Sequence, residues 1–155
     1  MALLRTLRTR GHTPGSERAV ARFSRLGEQA AIWFAICAAG AAFDRERRPV
    51  YAHAAKTIAA TYAVNQLLKI AVRRPRPALP DLPPLAGTLS GLSYPSAHAA
   101  TSFAAARTLS PALPRSALCA MATALALSRP YLGLHYPSDI AAGALLGAAI
   151  AELAS

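Results

Sequence analysis

The feature that most constrains this chain is where its charge sits. Basic clusters at Arg5 to Arg10, Arg18 to Arg25, Arg45 to Arg48 and Arg73 to Arg76 are separated by long stretches almost free of charge. A soluble amphipathic helix spreads charge along one face, whereas apolar runs with charge confined to their connections describe helices that cross a bilayer. The formal net charge of +10, from 17 Lys and Arg against 7 Asp and Glu, would by itself suggest nucleic acid or an anionic surface as partner. The clustering selects membrane lipid and argues against nucleic acid. A length of 155 residues allows one compact unit.

The stretch from Gly27 to Phe43 carries almost no charge beyond its start and would extend about 25 Å as a helix, enough for a thin bilayer. A polar turn follows, and Val50 to Val72 reads as a second span with His53 and Lys56 near enough to its start to reach the interface. Prolines and glycines between Arg73 and Pro95 exclude a regular helix and leave a long apolar loop. Helical pattern returns at Ser96, breaks at Pro111 to Pro114, and resumes at Arg115. The last segment, from Pro137, places Gly143 and Gly147 four apart, a spacing for close helix packing within the chain or between chains.

Ahead of the first run, Ala19, Val20, Phe23 and Leu26 share one helical face and Arg18, Arg22 and Arg25 another. That pattern suits a helix lying among lipid headgroups, and it also fits a solvated N-terminal helix. The long basic stretch before Ala30 makes a poor secretory signal, so the first apolar run is expected to be a retained span. Cys37 and Cys119 lie in apolar runs without metal or redox spacing and are expected to be buried thiols. The expected architecture is all-α: an integral membrane bundle of about five transmembrane helices. Residues 1–26 are expected to form its basic N-terminal segment with an interfacial helix, and residues 27–155 its transmembrane domain. Oligomeric state is not legible.

Three polar islands interrupt this pattern: "KIAVRRPRP" from Lys69, "PSAH" from Pro95 and "SRPYLGLHYPSD" from Ser128 to Asp139. Taken singly, each has a plain structural reading. Lys69, Arg73, Arg74 and Arg76 would be interfacial anchors, His98 a helix cap, and His135 with Asp139 a hydrogen-bonded pair. In an antiparallel five-helix bundle, however, all three islands fall at one membrane face. Their joint pattern resembles the type 2 phosphatidic acid phosphatase superfamily, whose signature is KxxxxxxRP, PSGH and SRxxxxxHxxxD. The resemblance covers Lys69 to Asp139, with one departure: Ala97 stands where the family has glycine. Alanine in a first helical turn costs little, so its N–H is expected to remain usable.

The residue types suit hydrolysis of a phosphate ester, which must neutralise oxygens, supply a nucleophile and protonate a leaving group. Lys69, Arg76 and Arg129 supply positive charge, Arg through a planar fork that meets two oxygens. Pro95 and Ser96 start a helix, so the N–H groups of Ala97 and His98 and the Ser96 hydroxyl form an expected anion cradle. Asp139, four residues after His135, is within reach of the imidazole and would fix its proton on one nitrogen, freeing the other to attack phosphorus. Only Asp81 and Asp139 bring carboxylates near these motifs, so no metal and no cofactor is expected. The resemblance further implies that His135 forms a phosphohistidine and that His98 acts as general acid, then base.

The near-uncharged loop from Ala78 to Leu92 suits lateral entry of a lipid, so a lipid-linked phosphate is the expected substrate and membrane lipid the expected surroundings. The short, Arg- and Ala-rich chain is similar to the actinobacterial branch of the family that acts on decaprenylphosphoryl-5-phosphoribose in arabinan precursor synthesis for the cell wall. Undecaprenyl diphosphate, phosphatidylglycerophosphate and phosphatidic acid remain open as substrates, and a non-catalytic lipid-phosphate-binding protein is the competing class. The expected location is the bacterial inner membrane. Arg5 to Arg25 with Arg73 and Arg74 slightly outweigh the basic residues at the opposite end, which turns the catalytic face to the cytoplasm.

Overall fold

The computed structural model describes residues 2–88 and 90–155. Among the described residues the fold is all-helical, with one isolated antiparallel bridge, Pro75 to Leu92, in the long loop. The helices are α1 (Ala2–Thr9), α2 (Pro14–Arg25), α3 (Ala31–Phe43), α4 (Arg48–Val72), α5 (Ala97–Thr108), α6 (Arg115–Tyr131) and α7 (Pro137–Leu153), and a 3-10 turn, Glu28–Ala30, precedes α3. Their starts follow local chemistry. Thr13 caps α2, its Oγ1 accepting from Ser16 N at 3.1 Å. Proline stands in the first turns of α2, α4 and α7, where its missing N–H costs nothing.

Helices α3 to α7 alternate in direction, so one end of the bundle gathers the start of α3, the end of α4, the start of α5, the end of α6 and the start of α7. The apolar core lies between α3, α4, α5 and α6, with Trp33, Tyr51, Ile58, Leu109 and Leu125 buried in it. Trp33 Nε1 donates to Ser102 Oγ at 2.9 Å, so the one polar atom of that indole is satisfied inside the core. Helix α5 is the central strut, packed against α4, α6 and, most extensively, α7. Its Ala, Ser and Thr side chains are short enough to admit all three neighbours.

The first apolar run does not form one uninterrupted helix. Gln29 and Ala30 adopt left-handed backbone angles, φ 51° and 61°, so the run turns sharply and α3 keeps only 13 residues. Among the described residues no single helix is both long and apolar enough to cross a membrane. Pro14–Arg25 and Glu28–Phe43 pass that test only together, bent by 48°. Helix α4, with 25 residues, has the length but is diluted by Lys56, Asn65 and Lys69, and α5 is short and rich in Ala, Ser and Thr. Cys37 is buried as expected, but Cys119 is exposed, because the face of α6 that meets the core carries Leu118, Ala122 and Leu125 instead.

Helices α1 and α2 pack on α6. Leu4 is buried, and the buried Arg8 donates to Pro83 O at 2.8 Å and Tyr131 O at 3.4 Å, tying α1 to the long loop and to the end of α6. His12 stacks on Tyr131 with ring centroids 3.9 Å apart.

The two glycines of α7 face α5 within the same chain. A Cβ on Gly143 would lie 2.5 Å from Ser96 O, and one on Gly147 would lie 2.0 Å from Ala100 O, so side chains at these positions would collide with backbone. Gly147→Val is expected to force α5 and α7 apart at a cost of about 1 to 3 kcal/mol or more. A lowered midpoint of thermal unfolding in detergent would register it, with a matching loss of activity because Ser96 and His98 ride on α5.

Candidate active site

At the shared end of the bundle, a cavity of about 90 Å³ is lined by Lys69, Arg76, Ala97, His98, Arg129 and His135, together with Glu28, Gln29, Tyr62, Gln66 and loop residues Gly87, Thr88 and Ser90. The structure thus brings six of the eight expected site residues onto one small space. The other two stand behind it. Asp139 is fully buried beneath His135, and Ser96 is buried behind Ala97, where its hydroxyl caps α5 with Ala99 N at 3.5 Å.

The backbone explains how distant segments coincide. Ser96 N donates to Asp139 O at 3.0 Å, which ties the start of α5 to the start of α7. Ala97 and His98 open α5, so their N–H groups have no partner within the helix. Ala97 has ordinary helical backbone, since the positive-φ residues among those described do not include it, so the position does not demand glycine.

His135 lies in the connection between α6 and α7, 2% exposed. Its Nδ1 faces Asp139 Oδ2 at 3.5 Å, beyond a well-formed hydrogen bond, and its Nε2 lies 3.2 Å from Arg76 Nη1. A guanidinium only donates, so Nε2 carries the lone pair and the ring proton of the neutral imidazole sits on Nδ1, toward the carboxylate. Burial, opposed by Asp139 but reinforced by the charges of Arg76, Arg129 and Lys69, pushes the His135 pKa down to about 4. The ring is neutral at physiological pH, with its lone pair on the side away from Asp139.

Asp139 is held from two further directions. Tyr136 N donates to Oδ2 at 2.8 Å, and Arg74 Nη1 donates to Oδ1 at 2.9 Å while its guanidinium lies 4.0 Å over the Tyr136 ring. Sequence reasoning took Arg74 for an interfacial anchor. Nothing in local spacing signals its partner, which lies 65 residues away. Arg76, besides His135, donates to Leu134 O at 2.7 Å and Ser90 O at 2.9 Å, and burial first of all lowers its pKa. Lys69 Nζ donates to Pro95 O at 2.9 Å and sits 3.4 Å from the carbonyls of Leu92 and Ser93, bracing the approach to α5.

Arg129 is the least satisfied cation. It is buried, its Nη1 donates to Ser24 Oγ at 2.7 Å, and its Nε has no partner. His98 Nε2 donates to Ser24 O at 2.9 Å. Glu28, Gln29, Thr88 and Ser90 escaped sequence reasoning because they lie in a turn and a loop outside the motifs. A second cavity of about 470 Å³, lined by Ser24, Arg25, Glu28, Thr88 and Arg129 among others, adjoins the first between α2 and the long loop. Among the described residues no group of three or more His, Cys, Asp or Glu gathers to hold a metal ion.

Buried cations, exposed helix-start N–H groups and an imidazole with its lone pair directed at the same space define an anion site fit for phosphoryl chemistry. Residues 50–155 match the model of the PAP2 superfamily, and the chain belongs to it. Decaprenylphosphoryl-5-phosphoribose phosphatase of Mycolicibacterium smegmatis is 37% identical over 130 residues, covering 84% of this chain and 72% of the relative. The protein of that name from Mycobacterium tuberculosis H37Rv is 37% identical over 141 residues, covering 90% and 79%. Among solved structures, Aquifex aeolicus LpxE superposes with a TM-score of 0.77 at 24% identity, over 99% of this chain and 92% of that one. A PAP2-type phosphatidylglycerolphosphate phosphatase from Bacillus subtilis, described as transmembrane, gives 0.76 at 24% identity, over 99% and 81%. These two likenesses establish the fold.

The position of His135 yields a direct test. Nitrogen NMR of histidine-labelled protein in detergent is expected to show the His135 imidazole protonated on Nδ1 and neutral down to about pH 4. A titration midpoint near 6.5 would mean that the ring is not enclosed as described.

Proposed function

We propose that this protein is a membrane-embedded lipid phosphatase that removes a phosphomonoester from a polyprenyl-linked substrate through a phosphohistidine. The observation that carries the reading is the convergence of Lys69, Arg76, His98, Arg129 and His135 on one cavity of about 90 Å³, which has room for a phosphoryl group.

In this reading Arg76 moves from His135 Nε2 to the equatorial oxygens of the bound phosphate, joined by Arg129, Lys69 and the N–H groups of Ala97 and His98. The Nε2 lone pair forms a bond to phosphorus as the bond to the leaving oxygen breaks, and His98, which must first have taken up a second proton on binding the phosphate anion, delivers that proton to the leaving oxygen and is left neutral. The Nδ1 proton stays directed at Asp139, which stabilises the charge that develops on the ring. Water then attacks the phosphohistidine, His98 takes its proton, and orthophosphate leaves with the His135 lone pair restored. Three cations and two imidazoles meet the charge and proton requirements of both steps, so no metal is assigned a role.

The membrane setting is supported by apolar side chains left outside the bundle. Val64, Leu67 and Ile70 recur at helical spacing on the outer face of α4, and Leu145 on α7 and Leu127 on α6 are also exposed. Five spans from α3 to α7 fit this distribution, with α5, α6 and α7 sheltered by their neighbours rather than individually apolar enough to insert alone. The basic segment 1–26 lies at the site end, since Ser24 touches His98 and Arg129, and this supports a catalytic face toward the cytoplasm. Decaprenylphosphoryl-5-phosphoribose is the favoured substrate, on the similarity to phosphatases named for it that spans most of this chain.

Phosphate release from a panel of polyprenyl and glycerol lipids in detergent tests the reading. Activity is expected to be highest on the polyprenyl phosphosugar, to survive EDTA, to be inhibited by orthovanadate and to drop at least about 1,000-fold in His135→Ala. Loss with EDTA that magnesium restores would defeat it, as would full activity without His135.

A further inference from the structure

Helix α2 lies outside the segment that matches the family model, yet its last turn enters the site. Ser24 is 2% exposed and makes two distinct contacts there. Its hydroxyl oxygen accepts from Arg129 Nη1 at 2.7 Å and lies 3.0 Å from Ser128 Oγ. Its carbonyl, released from helical pairing at the C-terminus of α2, accepts from Gly27 N at 3.1 Å and from His98 Nε2 at 2.9 Å. One residue thereby touches both the cation and the imidazole that the phosphatase reading assigns to phosphate binding and proton transfer.

We infer that Ser24 is a positioning residue for this active site, its hydroxyl aiming the Arg129 guanidinium at the phosphate and its carbonyl fixing the tautomer of His98. The inference rests on the phosphatase reading and adds to it a residue from outside the three motifs. Arg129 has no other hydrogen bond among the described residues, and its Nε is buried without a partner. A long side chain tethered at one nitrogen, with the remaining donors unpaired, is oriented for a ligand at low entropic cost. With Nε2–H committed to the Ser24 carbonyl, the neutral His98 ring has Nδ1 as its lone-pair nitrogen, so proton exchange with substrate or water runs through Nδ1. The fit is close: a Cβ on Gly27, in the turn that follows α2, would sit 2.6 Å from His98 Cδ2, so a side chain there would force the ring to shift.

The hydroxyl and the carbonyl separate in the test. Ser24→Ala removes only the hydroxyl, so orthovanadate Ki and substrate KM are each expected to rise about 10-fold, as loss of a hydrogen bond to a charged group implies. The pH profile of kcat should stay in place, because the backbone carbonyl on His98 remains. Ser24→Thr, which keeps the hydroxyl, should recover most of the vanadate affinity. Ser24→Cys, nearly isosteric but a weaker acceptor, should fall between, and it decides the question should Ser24→Ala not fold. Unchanged KM and Ki in Ser24→Ala, or in Ser24→Cys if only that folds, would overturn the inference, as would a loss of activity that tracks loss of folded protein alone. A wild-type protein that releases no phosphate from any lipid would instead defeat the phosphatase reading on which the inference stands.

Discussion

The backbone contact between α5 and α7 underlies the rest of this structure. Gly143 and Gly147 let α7 approach so closely that a single added carbon would strike the carbonyls of Ser96 and Ala100. At the end of that seam Ser96 N meets Asp139 O at 3.0 Å, which sets the first turns of both helices in register. The start of α5 offers free N–H groups and His98; the start of α7 offers Asp139 and, just before it, His135. A register shift of one turn, about 5.4 Å, would take the imidazole out of reach of the N–H cradle.

Charge then shapes what the seam has assembled. Lys69, Arg129 and most of Arg76 are withdrawn from water, and among the described residues Asp139 is the one buried carboxylate. That carboxylate is already engaged by Arg74, Tyr136 N and His135. The cations are therefore partnered mainly by neutral groups: loop carbonyls for Lys69, Leu134 O and Ser90 O for Arg76, a serine hydroxyl for Arg129. Buried cations held this way are costly without an anion and well paired with one. In the proposed reading such a site is preorganised for phosphate at the expense of local stability, and the surrounding small-residue packing sustains it.

Helices α4 to α7 were legible in the sequence because their boundaries rest on local signals: Pro49, Ser96 after Pro95, the break at Pro111 to Pro114, and Pro137. The convergence of Lys69, Arg76, His98, Arg129 and His135 was legible too, because antiparallel topology sends alternate helix ends to the same side. Other features depend on contacts that leave no local trace. The left-handed pair Gln29 and Ala30 lies in a run that reads as continuous helix, and it shortens α3. Arg74 reads as an anchor until Asp139 appears beside it, Cys119 reads as buried until α6 is turned, and Ser24 carries no signature whatever. The hydroxyl of Ser96, expected as a donor in the cradle, accepts from Ala99 N at 3.5 Å as the cap of its own helix, and its O–H is not committed by that contact.

By itself, the sequence determined the chemistry available and the order in which it is strung: which residues can bear charge, donate protons or start helices, since these are properties of side chains and of a few bonds on either side. Only tertiary structure decided which nitrogen of His135 keeps its proton, which cation braces Asp139 and which stays open for a ligand, and that α2 belongs to the site. Those outcomes depend on distances between atoms tens of residues apart, and such distances exist only once α5 and α7 have locked together and the loops have closed over them.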